Sequence, residues 1–138
     1  MNRPPIALVP GAELPARCIG PITQTDIVRF AGAGGDFNPL HHDTDYALRA
    51  GLPGVISMGQ MQAGLLAAWL TDLVHVEHLL SYAVRFASPL AVGETLELSG
   101  RVESVDPDTG TAELSLAARS ANRAVVTASA RVRTARAN

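Results

Sequence analysis

One long segment in the middle of this chain has apolar side chains on nearly every face of a helix. Within residues 57–74 the large apolar residues go almost all the way round: Met58, Met61, Leu65, Leu66, Trp69, Leu70 and Leu73. A helix of this kind is enclosed by other structure, whereas a surface helix keeps a polar face. Polar residues interrupt the run, and a membrane span needs about twenty predominantly apolar residues, so the pattern predicts a buried core helix.

The second half of the chain changes to a period of two. Apolar and polar residues alternate over residues 96–103 and 126–133, and residues 81–87 and 111–119 complete four predicted strands. Turn-forming residues separate these strands. A long apolar helix followed by an antiparallel meander predicts the α+β class, with a sheet able to curl around the helix.

Helix-start patterns precede the core helix and open it. Residues 23–26 (TQTD) have the form of a capping box, in which the first side chain and the fourth each bond the other's backbone N–H. Residues 43–50 predict a short helix that ends at Gly51. Ser57 and Gln60 have the same spacing as a capping box, so we expect the core helix to begin at Ser57.

Length and charge narrow the possible partners. The 138 residues predict one domain over 1–138, long enough to bury a core. A formal charge of -2 argues against nucleic acid and anionic membranes as partners. Cys18 is the only cysteine, which excludes an intrachain disulfide and predicts a small buried side chain. No apolar run follows a basic N-terminus, so we expect a cytoplasmic protein without a signal peptide.

A carboxylate, an amide and an imidazole share one short turn. Asp36, Asn38 and His41 flank Pro39, which stiffens the backbone, so the acid and the imidazole can converge. Histidine titrates near neutral pH and a carboxylate tunes it, which suits proton transfer. Gly59 follows within about twenty residues, near the start of the core helix, where N–H groups lack internal partners. These groups together suit chemistry beside a polarised carbonyl, although the turn alone would be an ordinary structural one.

The turn and its surroundings resemble a known family. Residues 30–43 (FAGAGGDFNPLHHD) resemble the hydratase-2 motif of the MaoC-like family, which contains (R)-specific enoyl-CoA hydratases and (3R)-hydroxyacyl thioester dehydratases. Residues 22–30 (ITQTDIVRF), 54–59 (GVISMG) and 84–93 (VRFASPLAVG) also have counterparts there. The resemblance covers nearly the whole chain, and the chain looks similar to the catalytic subunit of actinobacterial (3R)-hydroxyacyl-carrier-protein dehydratases.

The resemblance implies a fold, a reaction and partners. It implies a hotdog fold, in which the antiparallel sheet wraps the central helix and two protomers pair edge to edge, as a homodimer or with a related hotdog subunit. It implies a lyase that interconverts (3R)-3-hydroxyacyl and trans-2-enoyl thioesters. No separate cofactor is expected, because the CoA or phosphopantetheine arm of the acyl-CoA or acyl carrier protein belongs to the substrate.

The same resemblance implies roles for residues of the motif. Asp36 and His41 would be the acid/base pair, and the backbone N–H of Gly59 would bind the thioester oxygen. Asn38 would orient the catalytic groups, since an amide exchanges protons poorly.

The first turn of the core helix is expected to bind substrate. The predicted substrate-binding residues are Ser57, Met58, Met61 and Gln62. Many family members have a histidine where this chain has Met58. The thioether would either weaken the activity or shape the pocket for a bulkier or more apolar acyl chain.

Two other functions stay open. A hotdog thioesterase would place a carboxylate on or near the central helix, but this helix has no acid before Asp72. A non-catalytic acyl-thioester-binding half of a hetero-oligomeric dehydratase would have no use for Asp36 and His41. We predict no metal site, because His75 and His78 have no evident third ligand.

Overall fold

The computed structural model of this chain describes residues 2–136. Its helices and strands, in chain order, are β1 (Arg17–Ile19), α1 (Gln24–Gly34), α2 (Thr44–Arg49), α3 (Gly59–Val74), β2 (Leu79–Phe86), β3 (Leu96–Asp106), β4 (Thr111–Ser120) and β5 (Arg123–Arg133). Short 3₁₀ helices lie at Pro39–His41 and Val76–His78. No helix of the described residues is long and apolar enough to cross a membrane.

The five strands form one antiparallel sheet in the order β1-β3-β4-β5-β2. Helix α3 contacts β2, β4 and β5, and its Leu66, Trp69 and Leu70 are at most 1% exposed. Alternate residues of the strands, such as Leu98 and Leu114, complete the core. The α+β prediction is therefore confirmed, and the apolar helix lies against the sheet. The prediction that other structure encloses this helix on every face is wrong for the described residues, because Gln60, Gly64, Ala68 and Asp72 form an exposed stripe along it.

Local patterns predicted some element boundaries and missed others. The capping box at Thr23 and Asp26 is present at the start of α1. The box predicted at Ser57 and Gln60 is wrong: α3 begins at Gly59, its N-cap is Met58, and no side chain caps it. The hydroxyl of Ser57 is bonded elsewhere, as described below, so it is not available as a cap.

Two other differences lie near the N-terminus. The sequence did not predict β1, which has only three residues and pairs with β3. Cys18 lies on this edge strand and is exposed, so the prediction of a buried thiol is wrong.

The segment between β2 and β3 is fastened by one acidic side chain. Glu94 accepts a bidentate hydrogen bond from Arg123, with both N–O distances 2.7 Å. It also accepts hydrogen bonds from the Ala91 backbone and the Ser120 hydroxyl. The Arg123 guanidinium, as the largest cause, lowers the pKa of Glu94 to about 2. This arrangement holds the loop that carries Leu90 against the turn between β4 and β5.

Replacing Glu94 by glutamine is expected to lower the free energy of unfolding at pH 7 by about 1–2 kcal/mol, because hydrogen bonds to a charged group are lost. Because the pKa of Glu94 is lower in the folded protein than the unfolded value near 4.5, its carboxylate stabilises the fold at pH values above 4.5. This contribution to the free energy of unfolding disappears as the pH falls towards 2. Denaturant unfolding of both proteins should show the difference shrinking over that range.

The control for this change is Glu113→Gln. Glu113 forms an exposed ion pair with Arg131 at 3.5 Å, and such pairs contribute little. Equal effects of the two substitutions would contradict the assignment of Glu94 as a fastening residue.

Candidate active site

A cavity of about 770 Å³ lies where the end of α1, the Pro39–His41 turn, the start of α3 and the end of β2 meet. Its walls include Asp36, His41, Gly59 and Phe86. Residues that are far apart in the sequence therefore share one space.

Asp36 and His41 face each other across this cavity. The Asp36 Oδ2 atom lies 3.3 Å from His41 Nε2. The other ring nitrogen, Nδ1, lies 2.7 Å from the carbonyl oxygen of Ile56. A carbonyl can only accept, so Nδ1 carries a proton and Nε2 is the nitrogen free to exchange one. The imidazole is buried, whereas the Asp36 side chain is 47% exposed.

The turn between α1 and α2 sets this pair. Helix α1 ends at Gly34, and its C-cap is Gly35. The φ of Gly35 is 69°, in the left-handed region that glycine adopts without strain. The Asp36 N–H then bonds the Ala31 carbonyl at 3.0 Å. Asn38 accepts a hydrogen bond from the Leu40 N–H through Oδ1 and so caps the short 3₁₀ helix that carries His41. Asn38 does not line the cavity; its structural position is that of a turn-shaping residue.

The backbone of residues 56–57 forms the wall behind His41. The Ile56 N–H bonds the Leu40 carbonyl at 3.0 Å, and the Ser57 N–H bonds the Leu90 carbonyl at 2.8 Å. These two bonds, with the one from His41, hold the imidazole ring in a fixed orientation relative to the start of α3.

The N-terminus of α3 points unpaired donors at the cavity. Within residues 2–136 no group accepts a hydrogen bond from the N–H of Gly59 or Gln60. The helix dipole adds a partial positive charge at this end. A Cβ atom on Gly59 would lie 2.7 Å from Cδ1 of Phe86, so the aromatic ring packs directly over this glycine. An oxygen that develops negative charge could be bound here.

A buried polar pair lies behind these donors. Ser57 is 3% exposed and donates its hydroxyl to the Leu90 carbonyl at 2.9 Å. Gln62 is 2% exposed and donates from Nε2 to the Ser57 hydroxyl oxygen. Both residues line the cavity.

The other predicted site residues are divided between two places. Met58 is buried and lines the cavity with Ser57 and Gln62. Met61 instead lines a separate apolar hollow of about 400 Å³ between α1, β1 and α3. The cavity therefore brings together six of the eight predicted site residues: Asp36, His41, Ser57, Met58, Gly59 and Gln62.

The histidines at the end of α3 lie far from this cavity. His75 ends the helix, and His78 is buried with Nε2 2.7 Å from the Arg3 carbonyl. In the described part of the chain no three His, Cys, Asp or Glu side chains are grouped as metal ligands.

Sequence reasoning missed the residues that orient the site through their backbone or by packing. Ile56 and Leu90 supply carbonyl acceptors, which no side-chain pattern reveals. Phe86 had a possible signal, since it lies in one of the segments that resemble the MaoC-like family.

Comparisons with known proteins identify the family. Residues 7–122 match the family described as "MaoC like domain". The "3-hydroxyacyl-thioester dehydratase X" of Mycobacterium tuberculosis is 35% identical over 97 residues, which are 70% of this chain and 33% of that protein. This chain spans between 33% and 62% of the length of the curated relatives it matches.

Solved structures support the fold. A "MaoC-like dehydratase" superimposes with a TM-score of 0.87 at 31% identity, covering 96% of this chain and 44% of that one. A chain of the ChsH1-ChsH2 complex from Mycobacterium tuberculosis gives 0.81 at 27% identity, covering 92% and 98%. These likenesses confirm the predicted hotdog fold.

Proposed function

Because this chain belongs to the MaoC-like domain family, we propose that it is a hydro-lyase that interconverts (3R)-3-hydroxyacyl and trans-2-enoyl thioesters. The observation that carries the proposal is the convergence of Asp36, His41 and the free N–H of Gly59 on one cavity. The R configuration at C3 rests on the family likeness.

The reaction needs two proton transfers, and the Asp36–His41 pair supplies both. In hydration, a water on the cavity side that contacts both Oδ2 and Nε2 adds its oxygen to C3 and gives one proton to the pair, while the pair delivers one proton to C2. Dehydration reverses these transfers. The two groups lie 3.3 Å apart, so a single water molecule can contact both of them. The bond from Nδ1 to the Ile56 carbonyl keeps Nε2 directed at the reacting atoms.

The start of α3 stabilises the charge that develops on the thioester oxygen. The Gly59 N–H has no partner within residues 2–136, and the absence of a side chain leaves room for the Phe86 ring beside this residue. A donor already in place costs no reorganisation during the reaction, and losing one typically costs about 2.7–4 kcal/mol of barrier.

The substrate carries its own CoA or phosphopantetheine arm, from an acyl-CoA or an acyl carrier protein. The proposed steps use only groups of this chain and the substrate, so they require no further cofactor. We do not propose a thioesterase, because Asp72, the first acid of α3, pairs with Arg17 at 2.9 Å and does not line the cavity.

We also infer a hotdog partner subunit, either a second copy or a related chain. Strand β2 pairs with β5 on one side only and ends at Phe86 beside the cavity. Unpaired strand edges favour pairing with another chain. The chain of known structure at 27% identity comes from the ChsH1-ChsH2 complex, which supports a partner here.

The test is the ultraviolet absorbance of trans-2-enoyl-CoAs of several chain lengths after addition of the protein, with its oligomeric state measured by light scattering. We expect the enoyl absorbance to decay and an (R)-3-hydroxyacyl product to form. The Asp36→Asn variant should be at least about 10²-fold slower, since general acid/base catalysis contributes roughly 10²–10⁴-fold.

The matched control is Asp45→Asn, because Asp45 is exposed on α2 and does not line the cavity. Its activity should equal that of the wild type. Release of free CoA without hydration would overturn the proposal in favour of a thioesterase. Activity that appears only when a related subunit is added would assign the partner as a different chain.

A further inference from the structure

Gln62 is a buried amide whose orientation is fixed by its neighbours. The Ser57 hydroxyl has one hydrogen, and it is donated to the Leu90 carbonyl at 2.9 Å. The Ser57 oxygen can therefore only accept from Gln62, so the amide nitrogen must face Ser57. The amide oxygen, Oε1, consequently points away from Ser57.

This oxygen has no protein partner among the described residues. Within residues 2–136, the fully buried side-chain nitrogen and oxygen atoms that lack a partner are Nδ1 of His75 and Nδ1 of His78. Oε1 of Gln62 is not bonded either, so it keeps access to solvent, although the residue is only 2% exposed. The space that Gln62 borders is the cavity that contains Asp36 and His41.

The proposed chemistry leaves one hydrogen without an acceptor. The attacking water has two hydrogens, and the Asp36–His41 pair removes one of them. The second stays on the oxygen and becomes the hydroxyl hydrogen of the 3-hydroxyacyl product. Once a bound thioester fills the cavity, an unpaired hydroxyl there loses the hydrogen bond it would make in solvent. Asn38 does not supply this acceptor, because it is exposed and bonds the Leu40 backbone.

We propose that Oε1 of Gln62 accepts the hydrogen bond from the oxygen on C3, and so orients the attacking water and recognises the 3-hydroxyl group. This inference rests on the proposed function. Gln62 thus selects thioesters that carry a hydroxyl at C3 over saturated ones, with Ser57 as the positioning residue that fixes the amide. A site built around a buried hydrogen-bonding group discriminates against ligands that lack the matching group.

The first test is kinetic and uses Gln62→Met, which keeps the length and bulk of the side chain. The enoyl substrate has no oxygen on C3, so its KM should change less than twofold while kcat for hydration falls about tenfold or more. In the dehydration direction the KM for the 3-hydroxyacyl-CoA should rise. Because the equilibrium constant is unchanged, kcat/KM must fall by the same factor in both directions. A merely structural role would lower kcat in both directions without raising the KM for the 3-hydroxyacyl-CoA alone. A hydration rate equal to the wild type would overturn the inference.

The second test measures binding without turnover, in the Asp36→Asn background. Calorimetry would compare the binding of a (3R)-3-hydroxyacyl-CoA with that of the saturated acyl-CoA of the same chain length. This chain length would be that of the enoyl-CoA that the wild type hydrates fastest. We expect about tenfold tighter binding of the hydroxyacyl ligand, a preference abolished by Gln62→Met and reduced by Ser57→Ala. If Gln62→Met does not fold, the Ser57→Ala variant alone tests the inference. The matched control is Gln24→Met, because Gln24 is exposed at the start of α1.

The outcomes distinguish failure of the inference about Gln62 from failure of the proposed function. Equal affinities for the two ligands in the Asp36→Asn background would mean that Gln62 binds a resident water, which overturns the inference alone. A preference that survives Gln62→Met would do the same. Failure of the wild type to hydrate any enoyl-CoA or enoyl carrier protein, both alone and with a related subunit added, would instead overturn the proposed function.

Discussion

Replacing His41 by alanine is expected to reduce kcat for enoyl-thioester hydration by about 10²–10⁴-fold, the range that a positioned acid or base contributes. Nε2 lies 3.3 Å from Asp36 Oδ2, so the two groups exchange protons as a unit. The Asp36→Asn/His41→Ala double variant should therefore be little slower than either single variant. Steady-state kinetics of the three variants would check this, and multiplied effects would contradict the shared role.

Two further variants separate chemistry from folding. His41→Asn can retain the hydrogen bond to the Ile56 carbonyl, but an amide cannot act as an acid or a base near neutral pH. This variant should therefore fold and remain inactive. His42→Ala removes the adjacent imidazole, which is exposed, and should have wild-type activity. A comparable loss of activity in His42→Ala would contradict the assignment of His41 as the base.

The second large effect is expected for Gly59→Ala, with a fall in kcat of about 10²-fold. Loss of an oxyanion donor typically costs 10²–10³ in kcat, and here the added Cβ would obstruct the approach to a donor that is still present. The Cβ would also lie 2.7 Å from the Phe86 ring and displace it. Rapid-quench measurement of single-turnover hydration would report the chemical step directly.

Gly64→Ala is the control on the same helix. A Cβ at Gly64 meets nothing within 4 Å, so this variant should keep its activity and gain helix stability. Adding Phe86→Ala to Gly59→Ala distinguishes the two causes. Recovery of activity would assign the loss to ring displacement, and continued inactivity to obstruction of the N–H. Full activity of Gly59→Ala itself would remove Gly59 from the proposed mechanism.

The elements that sequence predicted best are those whose side-chain pattern directly reflects their surroundings. Helix α3 buries large apolar residues such as Trp69 and Leu70 against the sheet, although its face carrying residues 60, 64, 68 and 72 is exposed. Strands β3 and β5 alternate because one face of the sheet is buried. Asp36 and His41 could be paired because they are only five positions apart, with Pro39 between them.

The parts that sequence could not predict depend on contacts between distant segments. Ser57 has the spacing of a helix cap, but its hydroxyl bonds Leu90, which is 33 residues away. A tertiary hydrogen bond thus overrode the local pattern. The acceptor of His41 is likewise 15 residues away and belongs to the backbone of Ile56. Such partners follow only from the assembled fold.

The groups that anchor the acid/base pair and the polar pair behind it are main-chain oxygens. His41 bonds the Ile56 carbonyl, Ser57 bonds the Leu90 carbonyl, and the Asp36 N–H bonds the Ala31 carbonyl. Every amino acid has a carbonyl oxygen, so a substitution at any of these three acceptor positions leaves the anchor in place provided that the backbone path is kept. Ile56 also lines the cavity, so a substitution there can change the cavity wall while the carbonyl that bonds His41 stays in place. The side chain at this position can therefore vary separately from the orientation of the imidazole.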